Sequence, residues 1–317
     1  MAKYNVIGDG VMAAYEGRLR AEGRLCAQSM IYLSVFDNYC HSKWPDAAGL
    51  TQEMVDEWCA PRPTEKANST RTRVFPVIAL LGYMRARGLT DVADPDVPKA
   101  EPSTYVPHAF TEGELSRFFA ACDRYGEGRR PTAAGRNLAL TVPVFYRLLY
   151  SSGMRTTEAR LLGARDADLA EGVLYVRKSK GADSHVVALH ETMADAMRRY
   201  DAAIGAMYPG REFFFPVNAR GGRSTFWVWK TFRTIWDSVN ESHAVPYELR
   251  HHYAVENVNS WAGDGIDSYE RLVYLSRSMG HANLESTRRY YSIVPALAEV
   301  IERLSGPSLD ELFPEVG

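Results

Sequence analysis

The apolar positions of the first ninety residues recur at helical spacing. In CAQSMIYLSVFDNYC, Met30, Leu33, Phe36 and Tyr39 stand three apart, close enough to one helical turn to line a single face. TQEMVDEWC and TRTRVFPVIALLGYMRARG continue the pattern, with Pro76 expected in a first turn or at a kink. The periodicity then stops. TDVADPDVPKAEPSTYVP holds four prolines in eighteen residues, a composition that cannot sustain a helix and reads as an extended linker.

Helical spacing resumes at AFTEGELSRFFAACDRYG, where Thr111 stands as an N-cap and Glu114, three residues on, completes the spacing of a capping box. A long helix is expected through NLALTVPVFYRLLYSS, stopping near Gly153, with a short one at TTEARLLGA. In DADLAEGVLYVRKSKGADSHVVAL the period changes to two, and Val173 to Arg177 is expected to pair with His185 to Leu189 around the SKGADS turn. Helices return from Glu191 to the end, apart from loops near Pro216–Arg223 and Trp261–Asp267. The predicted fold is mainly α with a small antiparallel sheet. It comprises a helical domain over 1–90, a Pro-rich linker over 91–107 and a larger α+β domain over 108–317 with a C-terminal tail.

Composition narrows the class. A chain of 317 residues, 46% hydrophobic and 24% charged, has the balance of an ordinary globular protein of one large or two moderate domains. No run approaches the roughly 18–20 apolar residues that cross a bilayer, and MAKYNVIGDG lacks the apolar core of a signal peptide. Cys26, Cys40, Cys59 and Cys122 show no CxxC spacing and no partner histidines at zinc-site intervals, so they read as reduced thiols of a cytoplasmic protein.

The net charge of −2 conceals a local asymmetry. Between Pro61 and Gly88 the basic residues Arg62, Lys66, Arg71, Arg73, Arg85 and Arg87 face Glu65 alone. Between Ala296 and Gly317 five acidic residues oppose only Arg303. Electrostatic binding is local on the scale of a Debye length of about 10 Å, so the basic run marks a candidate DNA face, centred on Arg62, Lys66, Arg71 and Arg73, while solvated helix faces are the plain alternative. In REFFFPVNARGGRSTFWVWKTFRTIW, Phe226, Trp227, Trp229 and Phe232 read as core, while Arg220, Arg223, Lys230 and Arg233 are candidates to reach DNA phosphates.

Four short stretches of the larger domain share a chemical theme. SSGMRTTEARLL offers Arg155 after a glycine turn and Glu158 three residues later; KSKGADS offers Lys180; YELRHHYA offers Tyr247, Arg250, His251 and His252; GHANLESTRRYYS offers His281, Tyr290 and Tyr291. Arginines, a lysine, a histidine and a phenol without a carboxylate cluster suit the activation of a phosphodiester. Arginine forks neutralise charge on the non-bridging oxygens, a phenol attacks to form a covalent ester, and a lysine protonates the departing oxygen. A phosphotyrosine ester retains the free energy of the bond broken, so rejoining needs no nucleotide cofactor. Metal-dependent nucleases require several Asp or Glu ligands, and the sequence shows no such cluster.

These motifs, GMRTTEARLL, SKG, Y-x-L-R-H and MGHANLESTRRYY in that order, resemble those of the tyrosine recombinases, or phage-type integrases, and the resemblance covers essentially the whole chain. It implies a helical core-binding domain joined to a catalytic domain that cut and rejoin DNA site-specifically through a 3′-phosphotyrosine, without metal or ATP. By that resemblance Arg155 and Arg250 hold the scissile phosphate, Lys180 is the general acid, His281 donates a hydrogen bond to the phosphate, and Glu158 and His251 support from behind. The family's nucleophile lies nine residues after this histidine, which selects Tyr290; Tyr291, about 100° further round a helix, faces elsewhere and is the alternative.

Two positions depart from the pattern. Tyr247 stands where the family usually has histidine, and a phenol with a pKa of about 10 can donate a hydrogen bond but is a poor base at neutral pH. The 31 positions from Arg250 to His281 exceed the interval of the shorter members, with NSWAGDGIDSYE as the extra loop. The implied partners are double-stranded recombination sites, other copies of the chain in a synaptic tetramer joined through the amphipathic C-terminal tail, and accessory DNA-bending proteins; the implied place is the nucleoid. A type IB topoisomerase, a non-catalytic DNA-binding accessory protein and a purely structural helical protein are the rival readings.

Overall fold

The computed structural model describes residues 4–102, 105–126, 132–177, 184–261 and 268–280. The chain divides into two compact units, Met1–Tyr105 and Val106–Gly317.

The first unit is built from α1 (Asp9–Ala21), α2 (Ala27–Lys43), α3 (Gln52–Cys59) and α4 (Ala67–Arg85). Leu33, Phe36 and Cys40 of α2 bury their side chains against Trp58, Val74, Val77, Leu80 and Leu81, so one apolar stripe per helix makes a single core. The buried Asp37 carboxylate accepts the backbone N–H groups of Asn5, Val6 and Ile7 at 2.6, 3.0 and 2.8 Å, fastening the N-terminal segment to α2. Pro76 lies in the interior of α4 rather than its first turn. Val92 and Val97, inside the stretch that reads as linker, pack on this core.

The second unit opens on α5 (Glu112–Arg124), and its capping box forms as the spacing predicts: Thr111 and Glu114 exchange side-chain and backbone hydrogen bonds. The Glu114 carboxyl is lowered to about 2; burial opposes ionisation, but hydrogen bonds from Ser242, the Thr111 N–H and His108 outweigh it. α6 (Ala133–Ser152) runs through the core, starts at the Thr132 cap and stops at Gly153, whose φ of 63° is left-handed. α7 (Thr156–Arg160) follows at once.

β1 (Ala167–Asp168), β2 (Val173–Val176) and β3 (His185–Ala188) form an antiparallel sheet in that order. The β2–β3 register sets Leu174 opposite Val187 and Val176 opposite His185, with the apolar partners buried on one face. α8 (Glu191–Met207) packs on α6. The stretch that reads as a loop at Pro216–Arg223 contains a second pair, β4 (Pro216–Asn218) with β5 (Gly221–Gly222). α9 (Thr225–Val239), α10 (Glu248–Trp261) and α11 (Ser268–Ser278) complete the described unit.

α9 corrects two assignments to the core. It buries Val228, Thr231, Phe232, Ile235 and Trp236, an i, i+3, i+4, i+7, i+8 stripe, which leaves Phe226 at 64% and Trp229 at 50% exposure, stacked on each other. Conversely Arg223 is buried, with Nη2 donating to Asn137 Oδ1 at 2.7 Å. None of the four cysteines forms a disulfide, and three of them are buried. No described helix is long and apolar enough to cross a membrane.

Candidate active site

Two arginines from different elements meet at the last described turn. The left-handed Gly153 ends α6 so sharply that Arg155, two residues later, already caps α7. Its backbone N–H donates to Glu158 Oε2 at 2.8 Å, its Nη1 to Glu158 Oε1 at 2.6 Å and its Nη2 to the carbonyl of Gly280 at 2.7 Å. The Glu158 carboxylate is fully buried, whereas the Arg155 side chain keeps 25% exposure. A buried carboxylate gripping a guanidinium from behind fixes its direction and leaves its outer edge to solvent.

Arg250 enters from the first turn of α10. Its Nη1 donates to the carbonyl of Gly153 at 2.6 Å and its Nη2 to that of Met279 at 2.8 Å; the residue is 2% exposed. Arg155 and Arg250 therefore hold consecutive carbonyls, Met279 and Gly280, and both are braced by the Gly153–Arg155 turn. Glycine is required at Gly153 on two counts. Its φ is left-handed, and a Cβ there would stand 2.3 Å from the Tyr253 ring of α10.

Tyr247 is exposed at the start of this turn, its carbonyl accepts the Arg250 N–H at 3.1 Å, and its ring meets His251 edge-on at 5.1 Å. His251 is pushed below the usual histidine range by burial, with Glu248 opposing and Arg250 adding to the effect. Glu248 carries no role in the sequence reading. It is buried and accepts the Val245 N–H at 2.7 Å and the His108 N–H at 3.0 Å, pinning the backbone that aims Arg250. The carboxylate two residues before Arg250 in YELR is its only trace in the sequence.

Lys180, His281, Tyr290, Tyr291 and the C-terminal tail lie outside the described residues. Of the candidate DNA contacts in the first unit, Arg62 and Lys66 are exposed, and Arg71 donates to the Pro98 carbonyl at 2.8 Å while lying over Phe75. Arg73 is a correction. At 3% exposure its guanidinium donates to Glu65 at 2.9 and 2.6 Å and to the carbonyls of Trp58 and Ala60, so it joins α3 to α4 and has no face for DNA. Among the described residues no cluster of His, Cys, Asp or Glu could hold a metal ion.

Residues 109–295 match the phage integrase family. The chain belongs to that family. Phage integrases, the tyrosine recombinases, are DNA strand transferases, and the matched region takes in Arg155, Lys180, Arg250, His281 and Tyr290. The integrase/recombinase y4rE of Sinorhizobium fredii is 31% identical over 206 residues, 62% of this chain; the chain spans 64% of the length of y4rE. Tyrosine recombinase XerA of Thermococcus kodakarensis is 27% identical over 248 residues, 75% of this chain and 79% of XerA. The fold is shared with Tn1549 transposon integrase in complex with circular intermediate DNA, at a TM-score of 0.58 and 17% identity over 93% of this chain and 99% of that one. It is also shared with XerH site-specific recombinase bound to palindromic difH substrate, at 0.58 and 15% over 88% and 78%.

Proposed function

We propose that this phage integrase is a site-specific DNA recombinase acting through a 3′-phosphotyrosine. The Tyr290 hydroxyl attacks the scissile phosphorus and gives its proton to water, while the P–O5′ bond breaks and Lys180 protonates the departing 5′-oxygen. Arg155, Arg250 and His281 stabilise the charge on the non-bridging oxygens of the five-coordinate phosphorus. A 5′-hydroxyl from the partner duplex then gives its proton to the now neutral Lys180 and attacks the phosphotyrosine; the P–O bond to Tyr290 breaks, the phenolate takes a proton from water, and the strand is resealed without metal or nucleotide. Tyr247, in place of the family's usual histidine, orients the phosphate by donating a hydrogen bond and is not a base.

The observation that carries this reading is the convergence of Arg155 and Arg250 on the carbonyls of Met279 and Gly280, the two residues immediately before His281. Both units engage the duplex, the first through Arg62 and Lys66 as a core-binding domain. Four copies assemble on two sites, with the C-terminal tail docking on a neighbour. Incubation with a nicked suicide substrate should yield a covalent protein–DNA adduct whose linked peptide, mapped by mass spectrometry, carries the bond on Tyr290. A Tyr290→Phe protein that still forms the adduct overturns the assignment, and relaxation of supercoils irrespective of site overturns recombination in favour of a topoisomerase.

A further inference from the structure

Strand β3 carries a histidine that the motifs leave without a role. His185 sits on the inward face of the sheet opposite Val176, and its side chain is only 8% exposed although it belongs to a hairpin strand. Its Nε2 stands 3.9 Å from Glu158 Oε2, on the carboxylate that grips Arg155. Its other edge lies against Gly280: a Cβ at that glycine would fall 2.4 Å from the ring Cε1 and 2.5 Å from Nδ1. The same Gly280 has a left-handed φ of 62° and offers the carbonyl that Arg155 Nη2 holds.

The imidazole is therefore wedged between the two groups that orient the Arg155 guanidinium. α11 packs on β3 at this point, so the strand is the backing against which the Met279–Gly280 turn rests. Without the ring, Glu158 faces a void on its outer side and the Gly280 carbonyl loses its stop. Both changes let the Arg155 fork rotate, and misplacement of a phosphate clamp by about 1 Å costs rate on the order of 100-fold without removing any contact to substrate.

We propose that His185 is a positioning residue for Arg155, tying the sheet to the phosphate clamp. The inference rests on the recombinase reading above. Single-turnover adduct formation on the nicked substrate tests it in the full chain. With saturating protein, His185→Ala should slow the adduct about 10- to 100-fold while DNA affinity stays at the wild-type value and the chain remains folded at the assay temperature. His185→Gln, whose amide reaches the Nε2 position beside Glu158, should recover most of the rate. In a Glu158→Gln background, which breaks the same support from the other side, adding His185→Ala should cost no more than about twofold.

The inference fails if His185→Ala cuts at the wild-type rate, or if its loss is matched by weaker DNA binding or by unfolding at the assay temperature. It also fails if Gln does no better than Ala, or if the two losses multiply. Failure of the wild-type protein to form the adduct would instead overturn the recombinase reading itself.

Discussion

At the residue scale, burial decides which cations are available for phosphate. Arg62 and Lys66 are exposed and Arg73 is not, although all three belong to one basic run. Replacing Arg62 or Lys66 by alanine should lower the slope of log affinity against log salt by about one unit each, since each phosphate contact releases about 0.9 counterion. DNA titrations over a salt series measure it. Arg73→Ala should act elsewhere: it strands the Glu65 carboxylate, and denaturant unfolding should show a loss of about 3–5 kcal/mol.

Titration adds a pH dependence with a defined sign. Burial lowers His251 and His252, so the unfolded chain binds their protons first, and stability present above about pH 6.5 falls as the pH drops through that value. A second loss should begin as the pH falls into the ordinary carboxylate range and continue below it, because Glu114 stays ionised down to about 2 in the fold and protonates earlier when unfolded. Unfolding midpoints between pH 8 and pH 3 should show both steps, and His252→Phe should shrink only the first.

At the scale of elements, glycine geometry aims the site. Gly153→Ala must adopt a left-handed backbone and push its methyl into the Tyr253 ring. It should lower stability by about 1–3 kcal/mol in denaturant unfolding and slow adduct formation, because Arg155 and the carbonyl that Arg250 holds both belong to that turn. Much at this scale is legible in the sequence. The Thr111–Glu114 spacing, the Gly153 stop and the alternation around SKGADS each have a local cause, and the matching elements form.

What escapes the eye depends on partners distant in the chain. The basic run around Arg73 gives no sign that Glu65 folds back on it. Nor does a hairpin histidine announce that it meets Gly280, nearly a hundred positions on. Phe226 and Trp229 are a different case: the stripe that excludes them is present in α9, but aromatic content outweighs it in a composition-led reading.

At the scale of the molecule, the chain passes from one compact unit to the next at Tyr105–Val106, and each unit holds a separate core. The second unit's entry is anchored on its own side, since His108 gives its N–H to Glu248 and its ring to Glu114. Lengthening the linker before Val106 with glycine and serine should therefore leave the unfolding transition of the second unit unchanged. On the proposed reading, in which both units engage DNA, it should also weaken DNA affinity, because a longer connection costs more ordering entropy on binding. Calorimetry and DNA titration on the same variants separate the two effects.

The thiols carry a practical consequence. Burial pushes Cys40 and Cys59 up to about 12 and raises Cys122 as well, so almost none of them is thiolate at neutral pH, and maleimide dyes react with thiolates. Only the half-buried Cys26 competes. A Cys26→Ser chain with one cysteine introduced on each unit would accept a fluorophore pair at chosen points, and strand exchange could then be watched on single molecules without rebuilding either core.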